Sequence, residues 1–214
     1  MRPSPDLSVY LVTNRPLCLG RDLEWVVAEA VAGGATMVQL REKDCPVREF
    51  VDLARSLAVL LRPLGVPLVI NDRVDVALAS GAAGVHLGQT DMRATDARRI
   101  LGPDAIIGLS VENMHQAREA ESLDVDYYGV SPIFATPTKT DTGSPWGLDG
   151  LAGLRAATSR PLEAIGAIGP DNAADVIRAG ADGVAVVSAI CSADSPRDAA
   201  RALRQAVDQG RERA

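Results

Sequence analysis

The sequence is poor in aromatic residues and in cysteine. Phe, Trp and Tyr make up only 3% of the 214 residues, so the interior has to be built from aliphatic side chains. Such interiors suit parallel sheets, whose strands are buried on both faces. The three cysteines, Cys18, Cys45 and Cys191, form no CxxC pair. This pattern argues against a disulfide framework and predicts reduced thiols in a cytoplasmic protein.

Long apolar runs and an excess of positive charge are also missing, and we expect no signal peptide. No run approaches the roughly 18 apolar residues that a membrane span requires, and residues 1–6 lack the apolar stretch of a signal peptide. The formal net charge of −6 would repel nucleic acid. We therefore expect no nucleic-acid or membrane partner. Small anionic substrates stay compatible with the charge, and a homo-oligomer is left open.

What the sequence does contain is a regular alternation of short aliphatic runs with helical patterns. The predicted strands are 8–13, 35–40, 67–70, 83–87, 105–109, 126–130, 161–165 and 183–187. The predicted helices are 22–32, 46–61, 74–79, 94–100, 112–122, 148–157, 172–179 and 196–207. Eight strand–helix units in this length predict an α/β fold, a (β/α)8 TIM barrel forming a single domain over residues 1–214. A doubly wound sheet is the alternative.

Polar residues stand at the carboxyl ends of the predicted strands, which in a barrel form one rim where active sites are built. Arg41 and Lys43 follow the second strand, and Gln39 precedes them at the same spacing. Alternate residues of extended backbone share a face, so all three can point toward one site. Two cations suit a diphosphate, with Arg as a fork and Lys as a point charge. A solvated ion pair with Glu42 or Asp44 is the competing interpretation.

Asp72 and Asp91 follow the neighbouring third and fourth predicted strands. Two carboxylates so placed can hold a Mg²⁺ that takes its other ligands from water and phosphate oxygens. Helix capping is the alternative for Asp72, because Asp75 follows three residues later at the start of a predicted helix.

Two further segments of the same rim suit phosphate. Thr136, Thr138 and Lys139 lie in a long loop, 131–147, which can also be read as an ordinary solvated loop. The small residues of the last two turns, Gly166-Ala167 and Val187-Ser188, allow a phosphate to approach backbone N–H groups.

These motifs resemble the thiamine phosphate synthase family. The resemblance runs over residues 10–207 and rests on Gln39-Leu40-Arg41-Glu42-Lys43, Ile70-Asn71-Asp72-Arg73, Gly84-Val85-His86-Leu87-Gly88-Gln89-Thr90-Asp91, Ser131-Pro132-Ile133-Phe134-Ala135-Thr136-Pro137-Thr138-Lys139 and Asp182-Gly183-Val184. Several ordered motifs are more specific than any one alone.

The resemblance implies a transferase that couples 4-amino-5-hydroxymethyl-2-methylpyrimidine diphosphate to 4-methyl-5-(2-hydroxyethyl)thiazole phosphate, releasing pyrophosphate. It implies that Gln39 seats the pyrimidine and that Asp72 and Asp91 hold Mg²⁺. The implied diphosphate-binding residues are Arg41, Lys43, Asn71, Ser110 and Lys139, all but Asn71 being catalytic. The implied thiazole-phosphate residues are Thr136, Thr138, Ala167, Val187 and Ser188. Ala167 departs from the glycine usual in the family, and its methyl changes how closely the backbone meets phosphate.

The residues agree with this chemistry, because no nucleophile–base pair stands out and none is needed once an aminopyrimidine can stabilise a cation. A thiazole tautomerase is the first rival, but Pro132 stands where those relatives carry a histidine after the sixth strand. A non-catalytic phosphate-binding barrel is the second. We expect His86 and His115 to be packed or surface residues.

Overall fold

Eight parallel strands form a closed barrel, which confirms the predicted fold class. The computed structural model describes residues 5–135 and 144–212. Each strand pairs in parallel with the next along the chain, and the eighth pairs with the first. The strands are β1 Val9–Val12, β2 Met37–Leu40, β3 Leu68–Asn71, β4 Gly84–Leu87, β5 Ile106–Val111, β6 Tyr127–Val130, β7 Leu162–Ile165 and β8 Gly183–Val186. All their carboxyl ends therefore meet at one rim.

Helices surround the barrel between successive strands. They are α1 Leu23–Gly33, α2 Val47–Leu61, α3 Val74–Ser80, α4 Ala94–Leu101, α5 Met114–Ala120, α6 Gly147–Ala157, α7 Ala173–Arg178, α8 Ser188–Cys191 and α9 Pro196–Glu212. Two 3-10 helices, Arg15–Cys18 and Arg62–Leu64, and the single-turn α8 were not predicted from the sequence. Segments of three or four residues are too short to show an apolar period.

Helix α9 continues five residues beyond its predicted end at Val207, reaching Glu212. Glycine at 210 weakens a helical pattern, yet here it allows close packing. A Cβ added at Gly210 would lie 2.7 Å from the Cβ of Ile177 in α7. The glycine therefore marks a contact between two helices and not the end of one.

Two layers of buried side chains stabilise the barrel. The outer layer, between strands and helices, is almost entirely aliphatic, as the composition predicts. The inner layer fills the barrel and contains two tyrosines, Tyr10 and Tyr127, both fully buried. Their ring centroids lie 6.0 Å apart in an edge-on arrangement. The few aromatic residues of the chain are thus partly concentrated beneath the rim. Within the described residues, no helix is both long and apolar enough to cross a membrane.

Candidate active site

A cavity of about 350 Å³ opens at the carboxyl rim of the barrel. Every strand contributes a lining side chain or backbone group from its last residues or the turn that follows. The cavity brings together ten of the thirteen residues that the sequence predicts for the site: Gln39, Arg41, Lys43, Asn71, Asp72, Asp91, Ser110, Ala167, Val187 and Ser188. The other three, Thr136, Thr138 and Lys139, lie outside the described residues.

Lys43 and Asp72 form an ion pair at the mouth of the cavity. The Nζ of Lys43 donates to Oδ2 of Asp72 over 2.6 Å, although the two residues follow different strands. Asp72 has a left-handed backbone, with φ of +63°, which is uncommon outside glycine. The alternative that Asp72 caps α3 is wrong, because the residue before that helix is Arg73 and no side chain caps it.

Among the described residues, Arg41 and Lys43 do not form the competing ion pairs with Glu42 or Asp44. Glu42 pairs with Arg15 over 2.8 Å instead of with either cation. Lys43 crosses to Asp72, and Arg41 lines the cavity with its backbone N–H donating to Thr13 over 3.0 Å. Both cations therefore belong to the mouth of the cavity.

Asp72 and Asp91 line the same cavity, and the interaction between them shifts the pKa of both. Burial raises the pKa of Asp91, and the interaction with Asp72 raises it further. For Asp72, burial acts in the same direction, but hydrogen bonds from Lys43 and Asp91 outweigh it and the pKa lies below its ordinary value. Two carboxyl groups that compete for one proton are a favourable place for a cation.

A divalent cation fits this pair. Carboxylate oxygens suit hard cations, and Mg²⁺ commonly uses only one or two protein carboxylates, with water and substrate oxygens completing its shell. Among residues 5–135 and 144–212, no group of three or more His, Cys, Asp or Glu side chains is arranged to hold a metal. A cation bound here would therefore take its other ligands from groups of another kind, such as water and substrate oxygens.

A chain of hydrogen bonds beneath the cavity was not foreseen from the sequence. His86 lies between Ser110 and Tyr127, with 2.9 Å from Nε2 to the serine Oγ and 2.9 Å from Nδ1 to the tyrosine hydroxyl. Tyr127 contacts the hydroxyl of Tyr10 at 2.9 Å, and Gln39 donates to Tyr10 over 3.0 Å. Burial raises the pKa of both tyrosines. The chain thus fixes Ser110 and Gln39, two predicted site residues.

The two histidines differ in environment as expected from the sequence. His86 is buried within the barrel, whereas His115 is exposed on α5 and contacts Glu119 at 3.1 Å. The sequence correctly predicted a packed or surface place for each histidine, but not the network around His86. A histidine in an apolar strand, with a tyrosine on each of two other strands, is the signal that could have indicated it.

Glu163 is a further lining residue that the sequence analysis missed. It lies on β7 at the inner part of the cavity with 2% of its surface exposed. Burial raises its pKa to about 8. A charged residue type within the otherwise apolar strand Leu162–Ile165 is the signal that marks it.

The turn after β7 has a left-handed backbone at two successive residues. Gly166 has φ of +119° and Ala167 has φ of +50°. The carbonyl of Ala167 accepts from Asn172 Nδ2 over 3.0 Å, which ties the turn to the start of α7. Across the cavity rim, Val187 and Ser188 lead directly into α8. Residues of both turns line the same cavity, where phosphate binding would require them.

Fold and cavity together define a (β/α)8-barrel of the enzyme type, with cations and carboxylates gathered at the rim where such barrels carry their active sites. A family model described as thiamine monophosphate synthase matches residues 9–190. The chain belongs to this family.

Individual relatives agree with that assignment. The chain is 58% identical over 202 residues to the thiamine-phosphate synthase of Albidiferax ferrireducens, covering 94% of this chain and 92% of that protein. It is 56% identical over 200 residues to that of Leptospira biflexa, with 92% and 95% covered. Among solved structures, thiamine phosphate pyrophosphorylase from Pyrococcus furiosus matches with a TM-score of 0.88 and 38% identity, covering 97% and 98% of the two chains.

Proposed function

We propose that this protein is a thiamine-phosphate synthase, which joins 4-amino-5-hydroxymethyl-2-methylpyrimidine diphosphate to 4-methyl-5-(2-hydroxyethyl)thiazole phosphate or its carboxylated form. The observation that carries the proposal is the meeting of Arg41, Lys43, Asp72 and Asp91 at one cavity mouth. Relatives 50–58% identical to the chain and bearing this name support it.

The reaction needs a leaving diphosphate to be neutralised. The C–O bond between the pyrimidine methylene and the diphosphate breaks, and the electron pair leaves with pyrophosphate. Arg41 and Lys43 supply positive charge and N–H donors to the diphosphate oxygens, with Asn71 and Ser110 beside them in the cavity. Asp72 and Asp91 would hold Mg²⁺, which when bound supplies Lewis-acid stabilisation to the departing oxyanions.

After the C–O bond breaks, a new C–N bond forms between the methylene carbon and the thiazole nitrogen. The nitrogen lone pair attacks the cation that the electron-rich aminopyrimidine stabilises, so no general base is required. The protein has to hold both heterocycles in contact and exclude water. We assign the thiazole phosphate to the turns at Ala167, Val187 and Ser188, and, from the family resemblance alone, to Thr136 and Thr138. Lys139 is assigned to the diphosphate on the same ground.

We also propose that the protein acts in the cytoplasm on small substrates only. The thiols of Cys18, Cys45 and Cys191 are free, which suits a reducing compartment. The net charge of −6 disfavours nucleic acid as a partner.

A coupling assay with both heterocycles tests the function and its metal dependence together. We expect thiamine phosphate and pyrophosphate to form in equal amounts, to stop when a chelator removes divalent cations, and to resume when Mg²⁺ is added back. Undiminished turnover in chelator would remove the metal from the proposal. The absence of thiamine phosphate under all conditions, from folded protein, would overturn the function itself.

A further inference from the structure

Glu163 occupies an unusual place for a carboxyl group. It lies on β7 and pairs in register with Gly129 of β6 and Gly183 of β8. At ~3.3 Å per residue, its position three residues before Gly166 puts it about 10 Å below the turn at the rim. It lines the same cavity as the predicted diphosphate residues, but from the inner part and not from the mouth.

The carboxyl of Glu163 is directed into a space that neighbouring glycines keep open. A Cβ added at Gly129 would lie 3.0 Å from Oε2 of Glu163 and 2.7 Å from Cε1 of His86. A Cβ added at Gly108 would lie 2.6 Å from Nδ1 of His86. Glycine at these two strand positions therefore makes room for two polar side chains, His86 and Glu163, in the barrel interior.

One oxygen of this carboxyl has no hydrogen-bond partner. Oε1 of Glu163 is buried and unpaired among the residues that the structure describes. A buried polar atom without a partner lowers stability, whereas an apolar side chain of strand-forming type would not. Val or Ile at this place would suit the sheet and the surrounding apolar layer. Such an arrangement is expected where a polar group is kept for a ligand.

The protonation state defines the ligand chemistry that this group fits. Because burial raises the pKa of Glu163 to about 8, the group is mainly a neutral acid near pH 7. A neutral acid offers one O–H donor beside one carbonyl acceptor. Its complement is an acceptor nitrogen next to an amino group, which is the edge that a 4-aminopyrimidine presents.

The positive charges at the mouth of the cavity set the orientation of such a ligand. Arg41 and Lys43 at the mouth attract the diphosphate, so a ring attached to it through one methylene has to point inward. Gln39 lines the cavity from β2 and Glu163 from β7, which places polar groups of two separate strands around the ring. Glu42 also has a buried carboxyl oxygen without a partner among the described residues, but its other oxygen pairs with Arg15 and it does not line the cavity.

We propose that Glu163 is a specificity-determining residue of the pyrimidine site, where it donates to the ring nitrogen beside the amino group and accepts from that amino group. This inference rests on the proposed synthase function. It adds to the cavity a residue that neither the family motifs nor the rim geometry indicates.

The test compares two variants, Glu163→Gln and Glu163→Val, with the wild-type protein. The amide of Gln retains a donor and an acceptor, whereas Val retains neither. The dissociation constant of 4-amino-5-hydroxymethyl-2-methylpyrimidine diphosphate, measured by calorimetry without the thiazole, should rise ~10-fold or more in Glu163→Val and change by less than ~3-fold in Glu163→Gln. Affinity for inorganic pyrophosphate should stay the same in all three.

A second ligand makes the assignment specific. The analogue that lacks the 4-amino group should bind wild-type protein more weakly than the substrate does. This difference in affinity should disappear in Glu163→Val, because the carboxyl group that forms hydrogen bonds with the amino group has been removed. Glu163→Val should also unfold at a higher temperature than the wild type, since a buried carboxyl with one unpaired oxygen has been replaced.

The outcomes separate this inference from the proposed function. If the wild type makes thiamine phosphate but Glu163→Val, shown to be folded, binds substrate and analogue as the wild type does, the role of Glu163 is refuted and the function stands. A lower unfolding temperature of Glu163→Val with unchanged affinities would make Glu163 a structural residue. If the wild type makes no thiamine phosphate, the proposed synthase function is refuted, whatever the binding measurements on Glu163 show.

Discussion

At the scale of the residue, Glu163 makes a prediction about stability that needs no ligand. Its pKa is raised from an ordinary 4.5 to about 8 by burial. Between these values the folded state keeps the proton and the unfolded state does not. The contribution of Glu163 to the free energy of unfolding is therefore fully present below about pH 4.5. It is lost as the pH rises toward 8, by up to ~1.4 kcal/mol per pH unit.

Glu163→Gln should lack this dependence. The free energy of unfolding by urea, measured at pH 5, 6, 7 and 8, should fall more steeply in the wild type than in the variant. Tyr10 and Tyr127 stay protonated over this range because burial raises the pKa of both, and the remaining titratable groups are common to the two proteins. Parallel curves for the two proteins would show that the carboxyl titrates normally in the fold.

Lys43 gives the second prediction at this scale. Its ammonium pairs with Asp72 over 2.6 Å, so it is held at the mouth where the diphosphate is expected. Lys43→Gln should lower kcat/KM for the pyrimidine diphosphate by ~100-fold, because charge stabilisation of a leaving group is worth several kcal/mol. Arg99→Gln is the control, since that side chain is 78% exposed on α4 and pairs only with Asp96 among its described neighbours. Equal loss in both variants would contradict a specific role for Lys43.

The site could be predicted where polar residues lie near the carboxyl ends of strands or just after them, and not where they lie deeper within the strands. Arg41, Lys43, Asp72 and Asp91 interrupt an apolar pattern at strand ends, and parallel strands bring such ends to one rim. Tyr127 and Glu163 lie within strands whose two faces are both buried. When both faces are apolar, the sequence does not show which face lines the interior.

At the scale of the element, the strand–helix alternation was predictable and the turns were not. All eight predicted strands overlap strands of the barrel, because short aliphatic runs between helical periods have few other interpretations. The left-handed conformation of the turn after β7 depends on contacts with a distant segment of the chain. A Cβ added at Gly166 would lie 2.9 Å from the Cβ of Pro132, in the segment after β6. Contacts of this kind between distant segments are not encoded in local sequence.

Substitutions in this turn test the contact with Pro132. Gly166→Ala should lower the free energy of unfolding by ~2 kcal/mol or more, because the added methyl meets Pro132 and the residue has φ of +119°. Ala167→Gly, one residue later, should change it by less than ~1 kcal/mol, since relief of the left-handed alanine is offset by greater freedom of the unfolded chain. Urea unfolding measures both. Equal effects would mean that the contact with Pro132 does not constrain the turn.

At the scale of the whole molecule, the first and last strand–helix units pack on each other and close the barrel. Strand β8 pairs with β1, and Arg21 near the start of the chain donates to the carbonyl of Cys191 over 2.7 Å and to that of Ala193 over 2.5 Å. Helix α9 packs on both α1 and α7. The rim that carries the candidate site is therefore complete only when the last strand–helix unit has docked on the first.

The contact between α1 and α9 tests this dependence. A Cβ at Gly33 of α1 would lie 2.1 Å from the carbonyl oxygen of Arg197 and 2.9 Å from the Cβ of Ala200. Gly33→Ala should therefore lower the free energy of unfolding by ~2 kcal/mol or more through overpacking. Gly153→Ala in α6, where a Cβ would meet nothing within 4 Å, should raise it by ~0.5–1 kcal/mol because alanine favours a helix. If closure makes the molecule one cooperative unit, Gly33→Ala unfolds in a single transition with an unchanged dependence on urea. Two separate transitions, with α9 released first, would show that the barrel holds together without its last helix.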